Sequence, residues 1–122
     1  MIPTVEDLKS SPMVHGACDL YNPPALANCL GVLQAEVDIT GLRCLNFPPF
    51  STSFSLTGAF VLHGRHFQSL GVPVTLTWYP DRVERVAEVG ELLIKSTTVL
   101  AVGEMAAVVQ VEITNRGGSA VD

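Results

Sequence analysis

Apolar and polar residues alternate with a period of two along most of this chain. Leu33, Ala35, Val37 and Ile39 interleave with Gln34, Glu36, Asp38 and Thr40, the pattern of a half-buried strand. Leu42 to Phe47 predicts a second strand, stopped by Pro48-Pro49. Ser53 to His63 predicts a longer one, with Phe54, Leu56, Gly58, Phe60 and Leu62 on one face. Val72 to Tyr79 sets Val72, Val74, Leu76 and Trp78 against Pro73, Thr75, Thr77 and Tyr79. Val83, Arg85, Ala87 and Val89 share one face of the next strand, opposite Glu84, Val86 and Glu88. Leu92 to Leu100 and Met105 to Thr114 follow with the same alternation.

The links between these runs carry turn chemistry. Tyr79-Pro-Asp-Arg82 places Pro80 where its fixed φ already suits a turn. Gly90-Glu91 is a two-residue link with glycine first, as a type II′ hairpin requires. Short strands at this spacing predict an all-β fold, an antiparallel β-sandwich that forms part of a supersandwich.

Residues 1–30 break the pattern. Pro3, Pro12, Pro23 and Pro24 interrupt regular structure, so an irregular N-terminal arm is expected to lie over the sheets. Thr4 is a candidate cap for a short helix, with acids in its first turn, and Pro24 to Leu30 offers one or two further helical turns. Residues 31–122 then form the sandwich. Asn115 to Ser119 has turn chemistry and Ala120-Val121-Asp122 begins to extend again. The expectation is a sandwich incomplete at its C-terminus, a piece of a larger protein.

Composition narrows the function classes. Hydrophobic residues make up 48 % and charged residues only 16 %, against roughly 25 % charged in ordinary soluble domains. Such a surface is expected to be covered by a partner. With a net charge of −5 and scattered Lys and Arg, nucleic acid and anionic membranes are not expected partners. No apolar run is long enough for a membrane span, and the N-terminus lacks the charged-then-apolar order of a signal peptide. A cytoplasmic protein is therefore expected, with Cys18, Cys29 and Cys44 as free thiols.

Three runs carry a family resemblance: Gly71 to Arg85, with Thr77-Trp-Tyr-Pro-Asp-Arg82 its most distinctive part, Ser96-Thr-Thr-Val-Leu100, and Val111 to Gly117. Over about residues 53–122 the chain resembles the N-terminal β-sandwich of bacterial six-hairpin glycoside hydrolases, the glucosidase, trehalase-like and debranching-type enzymes. The resemblance implies a non-catalytic sandwich packed against a catalytic helical barrel that this chain does not contain. It implies no catalytic residue here.

The candidate chemistry read from the residues agrees that a catalytic set is missing. His63 and His66 are spaced for opposite faces of a strand rather than for a shared metal, so no metal site and no cofactor are expected. Cys18, with His15 and Asp19 nearby, lacks activating donors and reads as a small buried hydrophobe. Glu84 and Glu88 lie about 13 Å apart along a strand, too far for paired-carboxylate glycoside chemistry. Trp78 shares its face with core residues, whereas Tyr79 at the strand end is a candidate ligand contact, as are His63 and His66.

Three functions follow, in order. The first is a non-catalytic module of a carbohydrate-active enzyme, whose partner is a helical catalytic domain or a second chain. The second is a self-associating protein that pairs through its sheet edges. The third is a small β-barrel enzyme using His63 or His66 as acid–base.

Overall fold

The computed structural model describes residues 4–16, 19, 22–56, 58 and 60–121. It is all-β, an antiparallel sandwich with one short helix, α1 (Val5–Lys9), and one 3₁₀ turn (Phe67–Leu70). The strands are β1 (Met13–His15), β2 (Leu26–Ala27), β3 (Val32–Ala35), β4 (Leu42–Phe47), β5 (Ser51–Leu56), β6 (Val61–Leu62), β7 (Arg65–His66), β8 (Thr75–Trp78), β9 (Val83–Val89), β10 (Leu92–Leu100) and β11 (Ala107–Asn115). A five-stranded sheet runs in the order β1-β8-β9-β10-β11, and a four-stranded sheet in the order β2-β3-β4-β5. β6 and β7 form a separate hairpin. Two distinct sheets, with no described strand closing one onto the other, make a sandwich rather than the closed barrel of the third expectation.

The core fills the space between the sheets. One cluster gathers Leu26, Leu33, Ala35, Leu42, Phe47, Leu76, Val83 and Leu100. A second gathers Ile39, Leu62, Phe67, Val74, Ala87, Leu92 and Ile94. Leu33, Ile39, Leu76 and Ile94 lose all their solvent exposure, which stabilises the fold by about 1.5–3 kcal/mol for each side chain. Alternation set this arrangement: on β10, Leu92, Ile94, Ser96, Thr98 and Leu100 are all buried. Trp78 packs on the first cluster, as its strand face predicts.

The β9–β10 hairpin follows its expected chemistry. Gly90 has φ +57° and Leu92 faces Val89, so Gly90-Glu91 is a two-residue link. Tyr79 N–H donates to the Arg82 carbonyl at 2.8 Å, closing the Pro80 turn.

Three expectations need correcting. Pro24 to Leu30 is not helical. Leu26 and Ala27 pair with Leu33 and Val32, and Asn28 Oδ1 accepts from Leu30 N–H at 2.8 Å and Gly31 N–H at 2.9 Å, turning the chain into a hairpin. Gly31 permits this turn because a Cβ there would lie 2.3 Å from the Asn46 carbonyl oxygen and 2.4 Å from the Phe47 ring. Second, the strand expected through Ile39 stops at Ala35. A register shift at Gln34/Ala35 and a Glu36 N–H to Gly41 carbonyl bond of 3.0 Å fold residues 36–41 into a loop, although Ile39 still reaches the core. Third, Ser53 to His63 is not one strand. β5 ends at Leu56, Ser55 has φ +52°, and Phe54 is 69 % exposed rather than sharing a buried face with Leu62.

The N-terminal arm supplies structure to both sheets. β1 is the edge strand beside β8, and β2 is the edge strand beside β3. Thr4 caps α1 as its sequence predicts: its Oγ1 accepts from Asp7 N–H at 3.2 Å, while the Asp7 carboxylate accepts from Thr4 N–H at 2.8 Å and from the Thr4 hydroxyl at 2.6 Å. These bonds hold the Asp7 carboxyl below its usual value, the Thr4 side chain acting first and the Thr4 backbone second.

Candidate functional site

Arg85 lies beneath the loop of residues 36–41 and bonds its carbonyls. It occupies the apolar phase of β9, between Val83 and Ala87, and is fully buried. A buried charge needs hydrogen-bond partners in place of water. Arg85 Nη1 donates to the carbonyls of Asp38 at 2.7 Å, Gly41 at 2.8 Å and Glu36 at 3.3 Å. Nε donates to Ser96 Oγ at 3.1 Å and Nη2 to Thr98 Oγ1. Burial pushes Arg85 down to about 10, and attraction to Asp38 opposes that shift. The group therefore stays charged at neutral pH. One side chain of the five-stranded sheet thus closes the loop between β3 and β4 of the other sheet.

That loop forms one wall of a cleft of about 310 Å³. Asp38 and Thr40 come from the loop, and Gly58 and Phe60 from the segment after β5. His66, Phe67 and Gln68 come from β7 and the 3₁₀ turn. The walls are tied together. Gln68 Nε2 donates to Asp38 Oδ2 at 2.8 Å, and Thr40 Oγ1 to the Gly58 carbonyl at 3.3 Å. Phe67 N–H donates to the Phe60 carbonyl at 2.8 Å, and the two rings meet edge to face with centroids 5.7 Å apart. Ser69 Oγ donates to the His66 carbonyl at 2.7 Å and Arg65 Nη2 to the Ser69 carbonyl at 3.1 Å, fixing the hairpin base. A site held by such supporting bonds is ready for a ligand without reordering. Its size falls at the small end of ligand pockets, roughly 300–1,000 Å³.

The structure separates the three residues expected to touch a ligand. His66 is exposed and lines the cleft. His63 sits in the β6–β7 turn with φ +49°, followed by Gly64 at φ +70°, and does not line it. A two-residue turn with both residues at positive φ matches the twist of a hairpin, and it aims the two histidines independently. Tyr79 lies in the β8–β9 turn, where Arg82 Cζ covers its ring at 3.9 Å. Arg82 is itself held by Glu84 at 2.6 Å and Asp81 at 3.1 Å, and the Glu84 hydrogen bond raises it above its usual value. That ring face is occupied by protein.

Other candidates resolve simply. Cys18 lies outside the described residues. His15 Nδ1 sits 3.7 Å from Asp19 Oδ2. Cys29 and Cys44 are free thiols. Among the described residues, no group of His, Cys, Asp and Glu has the arrangement of a metal site, and no helix is long and apolar enough to cross a membrane. Among the described residues, Asp38 is the one carboxylate lining the cleft, whereas glycoside hydrolysis uses a pair.

Comparison with family models, with curated proteins and with solved structures finds no match.

Proposed function

We propose that this chain is a non-catalytic β-sandwich module of a cytoplasmic carbohydrate-active enzyme, and that the cleft over loop 36–41 holds one ring of a saccharide. The observation that carries this reading is the cleft's lining. Phe60, half-buried, supplies an aromatic wall, while Asp38, Gln68, Thr40 and His66 supply donors and acceptors around it. A sugar ring presents that combination in reverse, with apolar C–H faces and a rim of hydroxyls. Among the described lining residues a single carboxylate, Asp38, suits holding a sugar rather than cleaving it. The resemblance to six-hairpin glycoside hydrolases supplies the enzyme context. It also supplies the partner, a helical catalytic domain to which the module presents its bound ring.

Calorimetric titration with neutral mono- and oligosaccharides tests the reading, using wild type, His66→Ala and Gln68→Ala. Both side chains are exposed, so both variants keep the fold, verified by circular dichroism. Saturable binding is expected, weakened roughly tenfold in each variant, the equivalent of one lost hydrogen bond of about 1–1.5 kcal/mol. No binding by any saccharide, or equal binding by all three proteins, contradicts it.

A further inference from the structure

The outer edge of β11 is a second surface, and the groove beneath it adjoins the cleft through Thr40 and Gly58. β11 runs nine residues and closes the five-stranded sheet, with β10 on one side and no described strand on the other. An unpaired edge of this length is a template for another strand. The remaining edges are blunted. β1 and β2 are only three and two residues long, and β5 carries Ser55 at φ +52°, which breaks a regular ladder.

The orientation of the β11 backbone follows from the bonds at its two ends. Ala101 N–H donates to the Ala106 carbonyl, and Arg116 N–H to the Glu91 carbonyl, both at 2.9 Å. In an antiparallel ladder, residues that bond the neighbour alternate with residues that face away. Val108, Gln110, Glu112 and Thr114 therefore bond β10. Ala107, Val109, Val111, Ile113 and Asn115 turn their N–H and C=O groups to the open edge. The side chains of Val109 and Val111 are half-buried and wall an apolar groove of about 450 Å³ with Leu42 and Leu56. Ile113, next on that face, is 53 % exposed.

We propose that β11 pairs antiparallel with β11 of a second copy, across a two-fold axis through Val111, joining two five-stranded sheets into one. The strand is self-complementary about that residue. Val111 meets Val111 of the second copy, both with backbone groups facing the axis. Val109 meets Ile113 and covers its exposed surface. Gln110 meets Glu112, so the amide can donate to the carboxylate; within one chain Gln110 Nε2 already reaches Glu112 Oε1 at 3.0 Å. Glu112 is the only charged residue on β11, and its other cross-strand neighbour is Lys95. Moving the axis one residue, to Glu112, would set two carboxylates face to face, a destabilising pair. An isologous contact needs such self-matching, and the strand supplies it in hydrogen bonding, apolar packing and charge together.

Light scattering with size exclusion and sedimentation equilibrium of the full chain test this proposal. Wild type is expected to be a concentration-dependent dimer. Val111→Pro removes an N–H that faces the open edge and no bond to β10, so it is expected to leave a folded monomer. The exposed Gln110 gives a register test that does not risk the fold. Gln110→Glu places like charges across the axis and is expected to weaken the dimer roughly fivefold, with part of the loss restored by salt, while Gln110→Lys strengthens it by a similar factor. A wild-type monomer at millimolar concentration overturns the proposal. So does a dimer whose dissociation constant is unmoved by Val111→Pro and by both Gln110 variants.

Discussion

The two ends of the sandwich are built on opposite plans. Around Arg85 the sheets are locked: one guanidinium is shared among three loop carbonyls and two hydroxyls. Along β5 and β11 the sheets are open, and Phe54, Val108 and Ile113 remain more than half exposed. Polar groups do the closing at the locked end, and apolar groups are left uncovered at the open side. A purely hydrophobic core would hold the layers together but would not fix the path of a loop. Hydrogen bonds from a rigid fork give that loop one conformation. The cleft is built on the locked loop, and the proposed association surface lies on the open strand.

The sharpest way to break the contrast is to remove the lock. Arg85→Ala leaves buried carbonyls and hydroxyls without donors, and a destabilisation of about 3–5 kcal/mol is expected in urea unfolding. That is a large share of the roughly 5–15 kcal/mol of a typical domain. A change below about 1 kcal/mol would mean the loop holds itself. Arg85→Lys keeps the charge but not the fork, and is expected to fall between wild type and alanine.

Ordinary packing comes next. Ile94→Ala, at a fully buried position, is expected to cost about 2–5 kcal/mol, whereas Ile113→Ala on the open strand costs less than about 1 kcal/mol in the monomer. Equal costs at the two sites would erase the distinction between the ends. Gly31→Ala belongs with the first group. Its new Cβ meets backbone at 2.3 Å, and overpacking of that kind costs about 1–3 kcal/mol.

Charge gives smaller effects. Arg85 sits at about 10 in the folded protein, below its free value, so the unfolded chain binds more protons only between those two values. Stability through Arg85 therefore rises with pH in that window alone. The difference between wild type and Arg85→Met is expected to stay flat from about pH 5 to 9. A slope within that range would contradict a permanently charged guanidinium. At the exposed extreme, Arg116 meets Glu88 at 3.2 Å, and Arg116→Ala is expected to change stability by less than about 1 kcal/mol, with the difference lost in high salt. Smallest is the α1 cap. Asp7 is held below its usual 3.8, so its contribution is complete above that value and fades as pH falls through the lowered one. The Thr4 amide resonance reports that change.

Much of the architecture was legible as alternation. The faces of β8, β9 and β10 follow from it, as does the Gly90 hairpin, because each strand buries one face and the period of two marks which. The same pattern held the clue to the lock. Arg85 stands in phase with Val83 and Ala87, and a charged residue in the apolar phase of a strand must find buried partners. What it finds, the carbonyls of Glu36, Asp38 and Gly41, belongs to a loop that alternation had drawn as strand. Periodicity at Val37 and Ile39 records burial, and a buried loop residue satisfies it as well as a strand does. The cleft was less visible. The sequence offers His66 as a candidate contact, but Asp38, Thr40, Phe60 and Gln68 are brought beside it by tertiary structure alone. The candidacy of His63 and Tyr79 as ligand contacts rests on strand-end and loop positions, which say nothing of where a turn aims a side chain or of Arg82 lying over a ring.

We propose that the locked loop presents a saccharide site. Amide chemical-shift mapping on the labelled chain during titration with neutral saccharides tests it most directly. Saturable shifts are expected centred on Asp38, Thr40, Gly58, Phe60, His66 and Gln68, larger than any on β11. Shifts centred elsewhere, or none with any saccharide, would contradict it.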